Sequence, residues 1–291
     1  MLLSAVGMFL LVFGIQEGQT YRWGTITGWV SVPLLIACGL AVLAAFVVWQ
    51  ARNSREPLVP LELFAHRNFS LANVAITTVG FATIATAFPF ILYLQSVRGM
   101  TPTEAALVMA PSSVMTLLLA RWAGRLVDRV HPRTLASIGM VGLALTYLLV
   151  ALTVRPGTPL LVLLLPWFML GAASSFVWSP LSVSATRTLP PHAIGSGSGV
   201  YNTTRQVGSV LGAAAIAAVM EGRMAARLGG MTGDAGGAPA GEAMVHTAGQ
   251  VPPAVAEQMS VALREALFVP AGVLVVGAVA ALLLVGHSDR N

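Results

Sequence analysis

Five small or polar residues recur along one apolar stretch near the C-terminus, at a spacing that brings them together. They follow one another at steps of four, three, four and three residues: Ser198, Asn202, Arg205, Ser209 and Gly212. On an α-helix these steps give one continuous face. Asn202 and Arg205 could line the path of a substrate or bond a facing helix, because an ionisable residue inside an apolar segment usually faces a cavity or a partner. Alternatively, Arg205 reaches back to the segment end and the small residues allow close helix packing.

A compact charged turn, GRLVDRVHPR at positions 124–133, separates two other apolar stretches. Asp128 lies between Arg125 and Arg129, and it could bond either arginine or the N-terminus of the helix that follows Pro132. Such bonds would hold neighbouring helix ends together in one state of the protein, which makes the turn a candidate gate. The alternative is a basic anchor with no switching role. The candidate gating residues are Gly124, Arg125, Asp128, Arg129 and Arg133.

The chain lacks the residue combinations that catalysis or metal binding would need inside these stretches. Every acid lies in a loop or at the end of an apolar segment, at Glu17, Glu56, Glu62, Glu104, Asp128, Glu221, Asp234, Glu242, Glu257, Glu265 and Asp289. The histidines also lie in loops or near the termini, at His66, His131, His192, His246 and His287. We therefore predict that the chain is not an enzyme and has no catalytic residue, metal site or cofactor. No membrane carboxylate for proton coupling is apparent either.

The composition indicates a membrane protein. Hydrophobic residues make up 56% of the chain and charged residues 9%, with a mean hydropathy of +0.80, whereas soluble domains are about one quarter charged. The chain contains no lysine, which excludes a P-loop ATPase. Its arginines are scattered over short loops rather than gathered with aromatic residues, which excludes nucleic-acid binding. The partner that the composition predicts is the lipid bilayer.

The hydropathy pattern predicts an all-α, polytopic fold with about eight transmembrane helices. The apolar segments are approximately 2–15, 26–49, 70–94, 104–123, 134–154, 159–177, 199–220 and 267–285. A helix needs about 20 residues to cross a bilayer, and all but the first segment approach that length. The first spans only about 21 Å at the rise of an α-helix. We therefore expect a truncated helix, from an internal start codon or a fragment of a longer gene.

Arginine counts predict the orientation. Loops after the even-numbered segments and the C-terminus carry Arg52, Arg55, Arg67, Arg121, Arg125, Arg129, Arg133, Arg187 and Arg290, whereas the short loops on the other side carry Arg22, Arg98 and Arg155. The arginine-rich side should be cytoplasmic, with both termini on it. The predicted divisions are two membrane helices at 1–50, a cytoplasmic linker at 51–68 and a six-helix part at 69–291. A long extracellular loop is expected at about 221–266.

Several stretches resemble the fourteen-helix drug:proton antiporter family of the major facilitator superfamily, in its C-terminal portion only. They are GIQEG (14–18) followed by Trp23, PLVPLELF (57–64) followed by RNF (67–69), YLQSVRGMTPTEAA (93–106), GRLVDR (124–129) and GSGSGVYNTTRQVGSVLGAA (195–214). The last is the most specific, because its Gly spacing, Asn, Thr pair and Arg-Gln occur together. In the charged turn, His131 and Pro132 replace the Gly and basic residue of the family's pattern, which weakens the gating assignment.

The resemblance implies that 69–291 is the second six-helix half of such a transporter and that 1–50 is its extra central helix pair. Substrate binds between two halves near the membrane midplane in these transporters. By that resemblance Asn73, Thr77, Phe176, Trp178 and Asn202 join Arg205 as substrate-path candidates. Aromatic and small polar residues there are also compatible with ordinary packing.

The function expected from the resemblance is proton-coupled efflux of drugs or other small molecules across the plasma membrane. The chain would contribute one half of the export pathway and would be incomplete by itself. Expected partners are a small lipophilic or amphiphilic substrate, protons, and the missing N-terminal half or another membrane chain. The alternative is a non-transporting or regulatory half-protein that associates with other membrane chains.

Overall fold

The computed structural model is almost entirely helical and divides into two compact units. It describes residues 2–21, 24–52, 61–127, 129–187, 189–228 and 252–285. Unit 1 comprises 1–66 and 189–200, and unit 2 comprises 67–188 and 201–291. The helices are α1 (Leu2–Thr20), α2 (Val32–Arg52), α3 (Arg67–Leu92), α4 (Pro102–Val127), α5 (Pro132–Thr153), α6 (Leu160–Ser175), α7 (Trp178–Thr186), α8 (Ile194–Leu228) and α9 (Pro253–Leu282).

Unit 1 contains a helical hairpin closed by a short antiparallel ribbon. Strands β1 (Thr25–Thr27) and β2 (Val30–Ser31) join α1 to α2, and Gly28 adopts a positive φ of 53° at the turn. Small residues bring the two helices together, since a Cβ on Gly39 would lie 2.8 Å from the backbone nitrogen of Leu11. Helix α1 continues past the predicted end at Ile15, because helical hydrogen bonding does not require an apolar side chain at every position.

Six helical stretches among the described residues are long and apolar enough to cross a membrane. They are Arg67–Val97, Pro102–Val127, Pro132–Thr153, Leu160–Thr186, Ile194–Arg227 and Pro253–Leu282. The first of these ends in a π-helical turn at Tyr93–Val97, and a 3-10 turn at Leu61–Ala65 precedes it. The two other predicted segments lie in α1 and α2, where the apolar stretch Val32–Phe46 is shorter. This architecture confirms the prediction of an all-α, polytopic membrane fold.

Helices α3 and α8 of unit 2 pack at backbone contact. A Cβ on Gly80 would overlap the carbonyl oxygen of Arg205, and one on Gly208 would overlap that of Thr77. A Cβ on Gly212 would likewise overlap the carbonyl oxygen of Phe81. Lipid tails remove the hydrophobic drive for helix association in membranes, and small residues let the helix backbones approach closely enough for van der Waals packing to replace it. The face of α8 that the residue spacing predicted therefore includes part of the surface that packs against α3.

Unit 2 has two ends. We call the end with Arg67 the first end and the end with Tyr93 the second end. At the second end the rings of Phe90 and Trp167 lie 5.0 Å apart within a buried apolar cluster. The Tyr93 hydroxyl donates to the carbonyl of Arg155 at 2.5 Å. The Arg98 guanidinium donates to the carbonyls of Pro156 and Thr158, each at 2.8 Å. These bonds fix the loop between α5 and α6 on the end of α3.

The long connection near the C-terminus is shorter than the predicted 221–266, because both helices extend into it. Helix α8 continues to Leu228 and α9 begins at Pro253. The two extensions are joined by Glu265, whose carboxylate accepts from Arg223 at 3.0 Å and also pairs with Arg227. Glu265 consequently lies within a helix rather than in a loop. Of the predicted linker at 51–68, positions 53–60 lie outside the described residues.

A pair of glycines in α8 offers a direct test of the backbone packing. Replacing Gly208→Ala should lower the free energy of unfolding by roughly 1–3 kcal/mol, because its methyl group must displace the α3 backbone. Gly222→Ala is the matched control, since nothing lies within 4 Å of a Cβ there. That substitution should be neutral or stabilising by up to about 1 kcal/mol through helix propensity. Thermal unfolding in detergent measures both, and equal effects would contradict the packing.

Candidate functional site

Asn73 and Thr77, predicted on the substrate path, lie in the packed interface between α3 and α8. Asn73 is only 4% exposed. Its amide nitrogen donates to the carbonyl of Phe69 at 2.8 Å, and its side-chain oxygen accepts from the Thr204 hydroxyl at 2.7 Å. The Thr77 hydroxyl donates to the carbonyl of Asn73 at 2.7 Å and lies 3.3 Å from that of Thr204. Both side chains therefore find polar partners within the protein.

The aromatic candidates Phe176 and Trp178 lie at a break between α6 and α7. The backbone N–H groups of Phe176 and Val177 donate to the carbonyls three residues earlier, those of Ala173 and Ser174. Pro180 has no N–H for the carbonyl of Phe176, and its ring excludes a straight continuation of the helix. The break packs on α5 at Gly139, where a Cβ would lie 2.7 Å from the Phe176 carbonyl oxygen. The span Leu160–Thr186 includes this break and continues beyond the segment end that hydropathy predicted at Val177.

The break places Trp178 against Arg205 of α8. The guanidinium carbon of Arg205 lies 5.7 Å from the centre of the Trp178 ring, a distance at which cation–π attraction operates. Arg205 is half-buried, while Trp178 is 40% exposed and Asn202 is exposed. The structure thus brings two of the predicted path residues into contact. Their role in substrate binding stays a prediction.

Two residues of α8 at this site were not singled out from the sequence. Tyr201 is buried, and its hydroxyl has no hydrogen-bond partner among the described residues. Thr204 supplies the bond to Asn73 described above. Both belong to the YNTTR run that carries the resemblance, and Tyr201 precedes Arg205 by four residues, so the helical spacing could have indicated it.

The charged turn is divided between two helices and a short connection. Helix α4 extends through Val127, so Gly124 and Arg125 lie in its last turns, both exposed. Arg129 is exposed in the connection, and Asp128 lies outside the described residues. The Arg133 guanidinium, in the first turn of α5, donates to the carbonyl of Leu282 at 3.0 Å. Of the predicted gating residues, Arg133 thus joins the end of α5 to the end of α9.

Other side chains at the first end converge on the same terminus of α9. Arg67 donates to the carbonyl of Leu283 at 3.2 Å, and Ser137 to that of Ala281 at 3.1 Å. Asn68 exchanges two bonds with the backbone of Val285, at 3.0 Å and 2.9 Å. A helix ends with unpaired carbonyls and a partial negative charge, and cationic side chains satisfy both. Arg67 and Asn68 therefore hold the first end together, a role the sequence did not reveal.

Acidic residues in the described spans lie towards the second end of unit 2. Glu104 forms a capping box with Thr101, whose backbone N–H donates to the carboxylate at 2.8 Å. Glu265 pairs with two arginines, as described above. No group of three or more potential metal ligands occurs among the residues that the structure describes.

Comparison with known proteins identifies relatives over most of the chain. The family model for the Major Facilitator Superfamily matches residues 1–213. The chain is 44% identical over 97% of its length to the uncharacterized MFS-type transporter Rv1250 of Mycobacterium tuberculosis, of which it covers 48%. It is 28% identical over 78% of its length to multidrug resistance protein Stp of the same species, of which it covers 41%. The chain therefore spans about half the length of these relatives.

A solved structure supports the fold independently. The bacterial homolog to the human lysosomal transporter Spinster, in an inward-facing and occupied conformation, matches with a TM-score of 0.60 at 19% sequence identity. The match covers 97% of this chain and 64% of that one. At this identity the likeness shows the fold alone. Together with the family model, it confirms the predicted resemblance.

The contacts at the first end predict different roles for two arginines of the charged turn. Arg133→Gln should remove the guanidinium bond to Leu282 and let the last turn of α9 fray, so that its amides exchange about two- to tenfold faster. Hydrogen exchange of the peptide at 274–285, read by mass spectrometry, measures this. Arg129→Gln is the matched control and should leave that peptide unchanged. Equal protection in all three proteins would contradict the capping role.

Proposed function

The chain belongs to the major facilitator superfamily, and from that premise we propose that it forms the C-terminal half of a proton-coupled transporter that exports drugs or other small molecules. The observation that carries the proposal is the Arg205–Trp178 contact inside a six-span helical unit. It is supported by the relative whose name assigns it to multidrug resistance. We further propose that the protein lies in the plasma membrane with both termini cytoplasmic.

The chain covers less than half of each of two transporter relatives, which supports our proposal that it forms only part of a transport pathway. This chain aligns with 48% and 41% of two transporter relatives, and facilitator-type transporters bind substrate between two halves. We therefore propose that a further set of membrane helices, in the same polypeptide or in another chain, completes the pathway. The chain alone would bind but not export.

The gating role of the charged turn is part of the same proposal. Arg133 bonds the carbonyl end of α9 at 3.0 Å, and Arg67 bonds it at 3.2 Å from α3. Bonds of this kind stabilise one arrangement of the helix ends and must weaken if those ends separate. We propose that they favour the state closed at the first end. The first end would be the cytoplasmic side in this proposal, because the arginine-rich loops lie at that end.

Efflux from energised membrane vesicles tests the proposal. We would compare the 291-residue chain with a chimera in which the part of the 44%-identical relative that this chain does not cover precedes it. Cationic, neutral and anionic lipophilic dyes would cover the substrate chemistry. Export should occur only with the chimera, and a protonophore should abolish it because the gradient supplies the energy.

Two controls make the outcome decisive. Size-exclusion chromatography establishes that chimera and chain are folded and monodisperse, and the chimera with Gly208→Leu should lose export by disrupting the α3–α8 contact. Gradient-driven export by the chain alone would contradict the incomplete pathway. A folded chimera that exports none of the dyes would contradict the export function and favour a non-transporting half-protein.

A further inference from the structure

Arg205 places a positive charge within a helix that is long and apolar enough to cross a membrane. Helix α8 begins at Ile194, which puts Arg205 about 16 Å along the helix axis at the usual rise. The side chain is half-buried. A charge at such a position is costly unless another group compensates it, and a guanidinium does not lose its proton at any physiological pH.

The surroundings of Arg205 compensate that charge only in part. The Trp178 ring, 5.7 Å from the guanidinium carbon, covers one face of the group. Among the described residues, the ion pairs between arginine and carboxylate involve Glu265, at the second end, and none involves Arg205. A cation–π contact leaves the N–H donors at the edge of the guanidinium plane available to an acceptor. The site can therefore accept an anion.

A second donor lies one helical turn away. Tyr201 precedes Arg205 by four residues, so both side chains lie on the same face of α8. The Tyr201 hydroxyl is buried and lacks a hydrogen-bond partner in the described part of the chain. A buried polar group without a partner costs free energy, which a ligand acceptor would recover. The two side chains therefore supply two kinds of hydrogen-bond donor on one face of α8.

We propose that Arg205 and Tyr201 bind the anionic group of the transported compound, and that Trp178 contacts its lipophilic body. This inference rests on the proposed function and narrows the substrate class to lipophilic organic monoanions. A carboxylate fits best, because its two oxygens match the planar guanidinium fork. A phosphate dianion fits less well, since one arginine would leave a negative charge uncompensated in the membrane.

The competing arrangement is a carboxylate from the rest of the transporter that pairs with Arg205. In that case the arginine would stabilise the assembly and would not distinguish substrates by charge. The two arrangements separate when binding to the chain is compared with binding to the chimera described above. If a carboxylate of the added helices pairs with Arg205, selectivity for the charged probe is present in the chain and lost in the folded chimera, which overturns the proposal. The probe should consist of an acid and a neutral derivative with the same apolar body.

The experiment uses 1-pyrenebutyrate and its methyl ester, with the 291-residue chain and with the chimera, each in nanodiscs of zwitterionic lipid. Pyrene fluorescence reports binding of each probe. The acid should bind at least about tenfold more tightly than the ester, and Arg205→Gln should remove most of that difference, because charge-assisted hydrogen bonds are lost. Arg121→Gln, the same change at an exposed position, is the control and should have no effect.

Tyr201→Phe supplies a second test that keeps the size and charge of the site. It should weaken binding of the acid by about three- to tenfold through one lost hydrogen bond and leave the ester unchanged. If Arg205→Gln misfolds, binding of the ester falls as well, and Tyr201→Phe then decides the matter. Arg205→Lys should retain part of the selectivity, because it keeps the charge and loses the fork.

The outcomes separate this inference from the proposed function. Equal affinity for acid and ester, or equal weakening of both in a folded Arg205→Gln variant, overturns the anion site even if the chimera exports dyes. Charge-selective binding that depends on Arg205 supports the site. If that selectivity persists while a folded chimera exports nothing, the binding site stands and the export function is wrong.

Discussion

Close approach of helix backbones is the constraint on which the rest of unit 2 depends. A Cβ on Gly208 would overlap α3, one on Gly171 would overlap the carbonyl of Ser112 in α4, and one on Gly277 would overlap the Thr78 side chain. Hydrogen bonds between helices follow from this proximity: Ser209 lies 3.2 Å from the carbonyl of Gly80, and the Thr116 hydroxyl lies 3.2 Å from that of Gly171. In a membrane, such packing and bonding replace the hydrophobic drive of soluble cores.

The departures from regular helix determine where the functional side chains lie. Because Pro180 prevents α6 from continuing straight, Trp178 begins a new helix after a turn. Gly139 admits the backbone of that turn against α5. The ring of Trp178 consequently reaches Arg205, on a helix distant in sequence. The contact between Trp178 and Arg205 therefore depends on a proline and a glycine that take no part in it.

Hydropathy predicted the existence and type of the membrane segments, but it could not place all of their ends. An apolar window records which residues suit lipid, whereas a helix continues for as long as its backbone bonds are satisfied. Helix α8 thus runs to Leu228 and α9 begins at Pro253, with arginine–glutamate pairs beyond the apolar window. Pro180 indicates the break at Phe176 in the sequence itself, but hydropathy alone does not distinguish a proline that interrupts a helix.

The candidate site was predictable only as far as helical spacing allows. The sequence placed Asn202, Arg205, Ser209 and Gly212 on one face, but spacing does not say which neighbour covers each part of it. In the structure Ser209 and Gly212 meet α3, while the Arg205 side chain meets Trp178. The bonds from Arg67 and Asn68 to α9 span more than 200 residues of sequence, and no local pattern could reveal them.

The electrostatics of Arg205 and the covered length of the relatives lead to one physical conclusion. The described spans supply a ring for its guanidinium but no carboxylate at ion-pair distance, and a partly desolvated charge needs a counter-charge. No described carboxylate supplies that counter-charge, which supports our proposal that a ligand binds there. The transporter relatives are about twice as long as the part that this chain covers. The charge on α8 and the greater length of the relatives therefore support the same proposal, a binding site that is completed by a ligand and by further membrane helices.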